Sequence, residues 1–182
     1  MKVSCKRETK ETKVDIDLDP DGSGRSDVVT GVELLNEILR NLAEASDFDL
    51  MIRANGDLQT GDHHTTEDVG ITLGATLADL MNKGMGSSMV PSGDCLALAA
   101  VRFGEPFFSG EFHLQAEVLG GMSLENFRHF MRVLAFNGRF TLYLKADGNN
   151  NMRKIEAMSL ALGQALKKAY QDKKERDKVW IH

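Results

Sequence analysis

Cysteine is scarce in this chain. There are only Cys5 and Cys95, far apart and outside any C-x-x-C pair, which fits a reducing compartment and buried or inert thiols. Long apolar runs are missing too: none approaches the roughly 18 residues of a membrane helix. Met1 to Lys10 alternates charged and polar groups and has no apolar core of a signal peptide, so the cytoplasm is the expected compartment. Positive charge is not in excess. The 22 Lys and Arg face 27 Asp and Glu, for a formal net charge of -5. That excludes the dominant basic face of a nucleic-acid binder, but it leaves room for a local cluster that holds a phosphorylated small molecule. What is present is a chain of 182 residues, 42% hydrophobic, enough for one buried core and a single domain, 1–182.

Periodicity predicts an α/β (α+β) chain. Val3 to Leu18 alternates like a strand, Asp19 to Gly24 is a turn, and Val28 and Val29 read as a return strand completing a hairpin. Thr30 and Glu33 are spaced as a capping box for a helix from about Gly31 to Ala45, striped by Leu34, Leu35, Ile38, Leu39 and Leu42. A strand from Phe48 to Arg53 and a helix from about His63 to Met81 follow. Gly84 to Gly93, rich in glycine and serine, reads as a loop.

The order then begins again. Cys95 to Phe103 and Glu111 to Leu119 read as strands, and a Ser123-capped helix reaches about Asn137. Phe140 to Lys145 is a strand, and a last helix runs from Asn151 to about Tyr170 before Gln171 to Lys178 frays. Shifting the first half by 92 places Leu42 on Leu134, Phe48 on Phe140 and Gly56 on Gly148. Shifting by 89 places Glu67 on Glu156 and Leu73-Gly74 on Leu162-Gly163. Apolar, glycine and acidic positions match together, which points to an internal duplication with repeats at about 3–90 and 91–171. Four long helices packed between two mostly four-stranded sheets would cover the apolar face of each half.

The densest polar cluster is Asp62-His63-His64-Thr65-Thr66-Glu67-Asp68. On a helix, His63 and Glu67 stand at i,i+4 and His64 and Glu67 at i,i+3, so imidazole and carboxylate can face one borderline metal ion such as zinc or manganese. The same residue types also occur at ordinary helix starts, where they satisfy exposed N–H groups. At the duplicated position His63 and His64 become Met152 and Arg153, and only Glu156 persists.

Arg7-Glu8-Thr9-Lys10-Glu11-Thr12, Gly56-Asp57-Leu58, Asp62 to Asp68 and Gly148-Asn149-Asn150, in this order, make the chain resemble the imidazoleglycerol-phosphate dehydratases from Arg7 to about Ala169. The resemblance implies a manganese-dependent lyase of histidine synthesis, with two His-His-x-x-Glu motifs supplying ligands to paired metal ions at subunit contacts. It also implies a homo-oligomer of about 24 subunits. Carried onto this chain, the candidate metal ligands are His63, His64, Glu67, Glu156 and Glu37, the last at a position where the family has histidine. Glu11, Glu67 and Asp94 are the candidate catalytic residues.

Several family positions differ. Ala45 and Tyr143 stand where further histidines are expected, and Glu105 replaces an arginine of the family's phosphate site. Arg153 has no lone pair to offer a metal. Its gain alongside the lost histidines predicts a guanidinium lying against Glu37, Glu67 and Glu156. His129 is the repeat counterpart of Glu37 but falls on an acidic position of the family, so it is left outside the site. His113 is read as structural, and His182 as a mobile terminus. These departures predict a homologue that has lost the reaction and serves in ligand binding, assembly or regulation, with manganese, zinc or no metal bound. The alternative is a metal-dependent hydro-lyase acting on imidazole glycerol phosphate or a related small molecule. No nucleic-acid or membrane partner is expected.

Overall fold

The structure is a computed structural model and describes residues 1–179; His182 lies outside the described residues. In chain order the elements are β1 (Val3–Glu8), β2 (Thr12–Asp19), β3 (Ser26–Val29), α1 (Glu33–Ser46), β4 (Asp49–Gly56) and α2 (His63–Leu80). The second half adds β5 (Met85–Ser92), β6 (Cys95–Phe103), β7 (Phe107–Phe112), the short pair β8 (Val118–Leu119) and β9 (Met122–Ser123), α3 (Leu124–Asn137), β10 (Phe140–Asp147) and α4 (Asn151–Val179). Two four-stranded sheets result, ordered β1-β2-β4-β3 and β5-β6-β10-β7. In each, the two central strands pair antiparallel and the last strand is parallel to its neighbour. Both sheets therefore share one topology.

Alternation decides which face of each sheet is inside. Val14, Ile16 and Leu18 of β2 point into the core, as do Ala97, Ala99, Val101 and Phe103 of β6. The helices fill the space between the sheets, with α1 against α4 and α2 against α3. Two glycines let these pairs approach closely. A Cβ on Gly74 would stand 2.8 Å from the Leu134 carbonyl oxygen on α3, and one on Gly163 would stand 2.7 Å from the Leu42 carbonyl oxygen on α1. No helix among the described residues is long and apolar enough to cross a membrane.

Five expectations change. Val28 and Val29 do not return as a hairpin partner of β2; β3 lies beyond β4 and runs parallel to it. The cause is Asp49 at the start of β4, whose Oδ1 accepts from the backbone N–H groups of Ser23 and Arg25 at 2.9 and 3.0 Å. That docks the turn on β4. The Arg25 side chain and these N–H groups hold the Asp49 carboxyl well below the usual range.

The expected loop from Gly84 to Gly93 is mostly β5. Its inward positions are small (Gly86, Ser88), because the backbone of α4 runs directly across them at Ala165 and Ala169. Thr30 does not cap α1. Its hydroxyl turns to Asn36 Oδ1 at 2.7 Å instead, and the first turn is tied across the halves by Leu34 N–H to the Gly120 carbonyl, 3.0 Å. The segment Glu111 to Leu119 divides between the end of β7 and β8, and α4 continues to Val179 without fraying at Gln171.

Candidate metal centre

The start of α2 lies against α3. Helix α2 begins at His63 after the buried Asp62, whose carboxylate faces inward and takes no part in a backbone cap. Thr66 donates its hydroxyl to Asp62 Oδ2 at 3.0 Å, the Ser123 N–H donates to Oδ1 at 3.2 Å, and Asn126 Nδ2 donates to both oxygens at 3.0 Å. A carboxylate so surrounded is a fixed point between the two helices. From there, Asn126 Oδ1 reaches His63 Nδ1 at 3.1 Å.

On the far side of the His63 ring, Nε2 lies 3.7 Å from Glu67 Oε2. The other Glu67 oxygen meets His129 Nε2, from α3, at 3.0 Å. The His63 and His129 rings stack with centroids 5.2 Å apart. One ligand atom from each of His63, Glu67 and His129 falls within 4.8 Å of the others, the only such group of His, Cys, Asp or Glu among the described residues. Two imidazole nitrogens and a carboxylate oxygen are a donor set that borderline divalent ions accept. Half-exposure of the three side chains leaves open positions for water or a ligand.

Behind the site, Asp68 anchors α2 to the first strands. It accepts from Arg7 Nε at 2.8 Å and from the hydroxyls of Thr9 and Thr12. Burial disfavours its charge, yet Thr12, Arg7 and Thr9 together outweigh that and keep its carboxyl below the ordinary range.

The remaining candidates are dispersed. His64 is exposed, 5.8 Å from His63 between ring centroids, and outside the three-donor group. Glu11 is exposed in the β1–β2 turn, and Asp94 in the β5–β6 turn. Glu37 and Glu156 line a separate cavity of about 570 Å³ together with Arg40, Asn150, Met152 and Arg153.

The expected contact of Arg153 with three acids does not form. Glu67 belongs to the other cluster, and among the described residues no ion pair within 4.0 Å joins Arg153 to Glu37 or Glu156. Glu156 instead accepts from Ser92 Oγ at 2.9 Å, while the Arg153 guanidinium lies over Gly93. Tyr143 lies elsewhere again, exposed on β10 beside Phe107. His113 offers only its carbonyl, to Lys154 Nζ at 2.6 Å.

Sequence reasoning missed His129, Asn126 and Asp62 as parts of one site. The available signal was the repeat. His129 is the counterpart of Glu37, a position already marked for metal, and pairing α2 with α3 delivers it to Glu67.

Fold and site together define a two-sheet, four-helix α+β protein with a histidine–carboxylate centre suited to a divalent ion. Residues 30–166 match the family model described as imidazoleglycerol-phosphate dehydratase. The chain belongs to that family. The imidazoleglycerol-phosphate dehydratase of Acetivibrio thermocellus is 39% identical over 91% of this chain and 88% of its own length. That of Methanococcus maripaludis is 34% identical over 91% and 90%. Among solved structures, the crystal structure of the Staphylococcus aureus enzyme superimposes with a TM-score of 0.82 at 31% identity, covering 93% of this chain and 98% of that one.

These likenesses overturn the expectation of a homologue that has lost the reaction, since relatives bearing the dehydratase name match at 32% to 39% identity across nine-tenths of the chain. Counting lost ligands position by position omits the nitrogen that His129 brings to Glu67.

Proposed function

We propose that the chain is a metal-dependent hydro-lyase that dehydrates imidazole glycerol phosphate in histidine synthesis. The observation that carries this reading is the three-donor group of His63, Glu67 and His129 at the start of α2, in a chain whose named relatives share its whole fold. His63, Glu67 and His129 would hold the ion, with manganese or zinc as the ions the donor set suits. A bound divalent ion supplies Lewis acidity, which polarises a coordinated group of the substrate and stabilises charge that develops beside it.

The chain's own residues do the rest. Dehydration breaks one C–H and one C–O bond, so a proton must leave carbon and another must reach the departing hydroxyl. His64, exposed beside His63, is proposed as a group that moves a proton, and Glu11 is proposed as a second carboxylate that faces substrate. Glu67 sets the negative charge of the centre, and Asp94, exposed in the β5–β6 turn, is proposed as a further catalytic carboxylate. The cytoplasm is the proposed compartment, and the shared topology of the two sheets supports an origin by duplication.

The proposed assembly is a homo-oligomer, for which the outer face of the second sheet offers a surface. Met85, Met89, Leu96, Phe107 and Tyr143 are all exposed there, apolar side chains of the kind that partners cover.

The direct test incubates purified protein with imidazole glycerol phosphate and either manganese or zinc, and follows loss of substrate and formation of the dehydrated product. Turnover should require the added metal and fall by at least about a hundredfold in Glu67→Ala. Absence of turnover with either ion rejects the reading.

A further inference from the structure

The starts of α2 and α4 are related by the repeat, but their chemistry differs. Met152, Arg153 and Glu156 on α4 are the counterparts of His63, His64 and Glu67, and Glu37 on α1 is the counterpart of His129. This second set does not fit a divalent ion. A thioether is a poor ligand for manganese or zinc, and a guanidinium has no lone pair and brings its own positive charge. Among the described residues no three donor atoms of His, Cys, Asp or Glu converge there. What the four residues do line, together with Arg40, Asn41 and Asn150, is a cavity of about 570 Å³ between α1 and α4, a volume typical of small-molecule sites.

Charge is the informative property of this cavity. Glu37 and Arg40 stand at i,i+3 on α1, and Arg153 and Glu156 at i,i+3 on α4, a spacing at which opposite charges commonly meet. Neither pair closes, and among the described residues none of the four forms an ion pair with any group. Arg40 reaches only the Val28 carbonyl, at 3.4 Å, and the Arg153 guanidinium lies over Gly93. Glu156 Oε2 accepts from Ser92 Oγ at 2.9 Å, which leaves its other oxygen open. The Arg153 N–H donates to Asn150 Oδ1 at 3.0 Å, so the Asn150 NH2 group is left for the cavity. Two cations and two carboxylates therefore face one space without neutralising each other. A lone anion would meet Glu37 and Glu156, and a lone cation would meet Arg40 and Arg153. A small molecule that carries both signs satisfies all four. The forked guanidinium donors suit a carboxylate, an attraction to which the N-terminal end of α4 adds, and the glutamates suit an ammonium. Met152, the one apolar side chain of the lining, is left for the rest of the ligand.

We infer that this cavity binds a free, zwitterionic α-amino acid with an uncharged side chain, its carboxylate on Arg40 and Arg153 and its ammonium on Glu37 and Glu156. The inference goes beyond the dehydratase reading and does not depend on it, since it concerns a different cavity and is measured without substrate or metal.

The experiment titrates each of the standard α-amino acids into metal-free, full-length protein by calorimetry. At least one with an uncharged side chain should bind, one molecule per chain. For that amino acid, the matching amine without the carboxylate and the matching 2-hydroxy acid without the ammonium should each bind at least about tenfold more weakly, the loss of one charge-assisted contact. Arg153→Gln and Glu37→Gln should each weaken the amino acid by about 10–100-fold. Both side chains are exposed, so thermal unfolding of the unliganded variants should match that of the parent protein. A merely structural role would weaken every ligand alike, whereas Arg153→Gln should spare the amine and Glu37→Gln should spare the hydroxy acid. No binding tighter than about 10 mM, equal binding of the hydroxy acid or of inorganic phosphate, or an affinity indifferent to Arg153 and Glu37 would each overturn the inference.

Discussion

Arg7 Nε donates to Asp68 Oδ1 across 2.8 Å, joining the first strand to the helix that carries the metal donors. Asp68 is largely buried, and its carboxyl titrates below the ordinary range because the hydrogen bonds from Thr12, Arg7 and Thr9 outweigh the cost of burial. A lowered folded value means that the stabilisation is present above the unfolded carboxylate range, near pH 4, and is lost as pH falls through the folded value. Asp68→Asn should therefore cost about 1–3 kcal/mol at neutral pH, and the gap from wild type should close as the solution is acidified below about pH 4. Denaturant unfolding of both proteins across that range measures it. A gap that widens in acid would contradict the assignment.

Tyr170 and Asp21 define the opposite limb. The Tyr170 hydroxyl donates to Asp21 Oδ2 at 3.1 Å, and burial, aided by that carboxylate, pushes the phenol up to about 12. Because the folded value is raised, its contribution is complete below pH 10 and is lost as pH rises through about 12. Ultraviolet titration should show one tyrosine ionising near pH 12, and Tyr170→Phe should remove that step. If the phenolate appears near pH 10 in the folded protein, the buried contact is absent.

Gly74 and Gly163 occupy matching places in the two halves, each where one helix passes another at backbone distance. Alanine at Gly163 would bring its Cβ within 2.7 Å of both Ala45 Cβ and the Leu42 carbonyl oxygen, and alanine at Gly74 would stand 2.8 Å from Asn137 Cβ. Neither neighbour is the flexible end of a side chain, so the helices must separate. Each substitution should destabilise by about 1–3 kcal/mol, despite the better helix propensity of alanine. Equal or higher stability in a denaturant melt would show that the crossings have slack.

Much of this architecture was legible in the residues. The stripe from Leu34 to Leu42, the alternation of Val14, Ile16 and Leu18, and the repeat offset that superimposes Gly74 on Gly163 were enough to give four helices between two sheets. What escaped was set by contacts distant in sequence. Gly86 and Ser88 looked like a loop because strand residues there must be small beneath α4, and no local pattern reveals a helix passing overhead. Val28 looked like a hairpin partner because the docking of its turn depends on Asp49, more than twenty residues further along the chain. At the site, the spacing of His63 and Glu67 was visible, whereas the third donor comes from α3 and needed the packing of α2 on α3. Its clue was in the sequence repeat, at the position paired with Glu37.

The outer face of the second sheet provides the last expectation. Met89, Leu96, Phe107 and Tyr143 lie on adjacent strands and are about half exposed or more, while the inner face of the same strands is filled by Ala97, Ala99, Val101, Leu142 and Leu144. Because side chains alternate along a strand, substitution of the outer set leaves the core untouched. If the proposed homo-oligomer uses this face, Met89→Glu combined with Phe107→Glu should convert it to smaller species by light scattering, with the far-ultraviolet circular dichroism unchanged. The reason is desolvation: an interface that buries two new carboxylates without partners pays several kcal/mol for each contact. A variant of unchanged mass would place the contacts between copies on another surface of the chain.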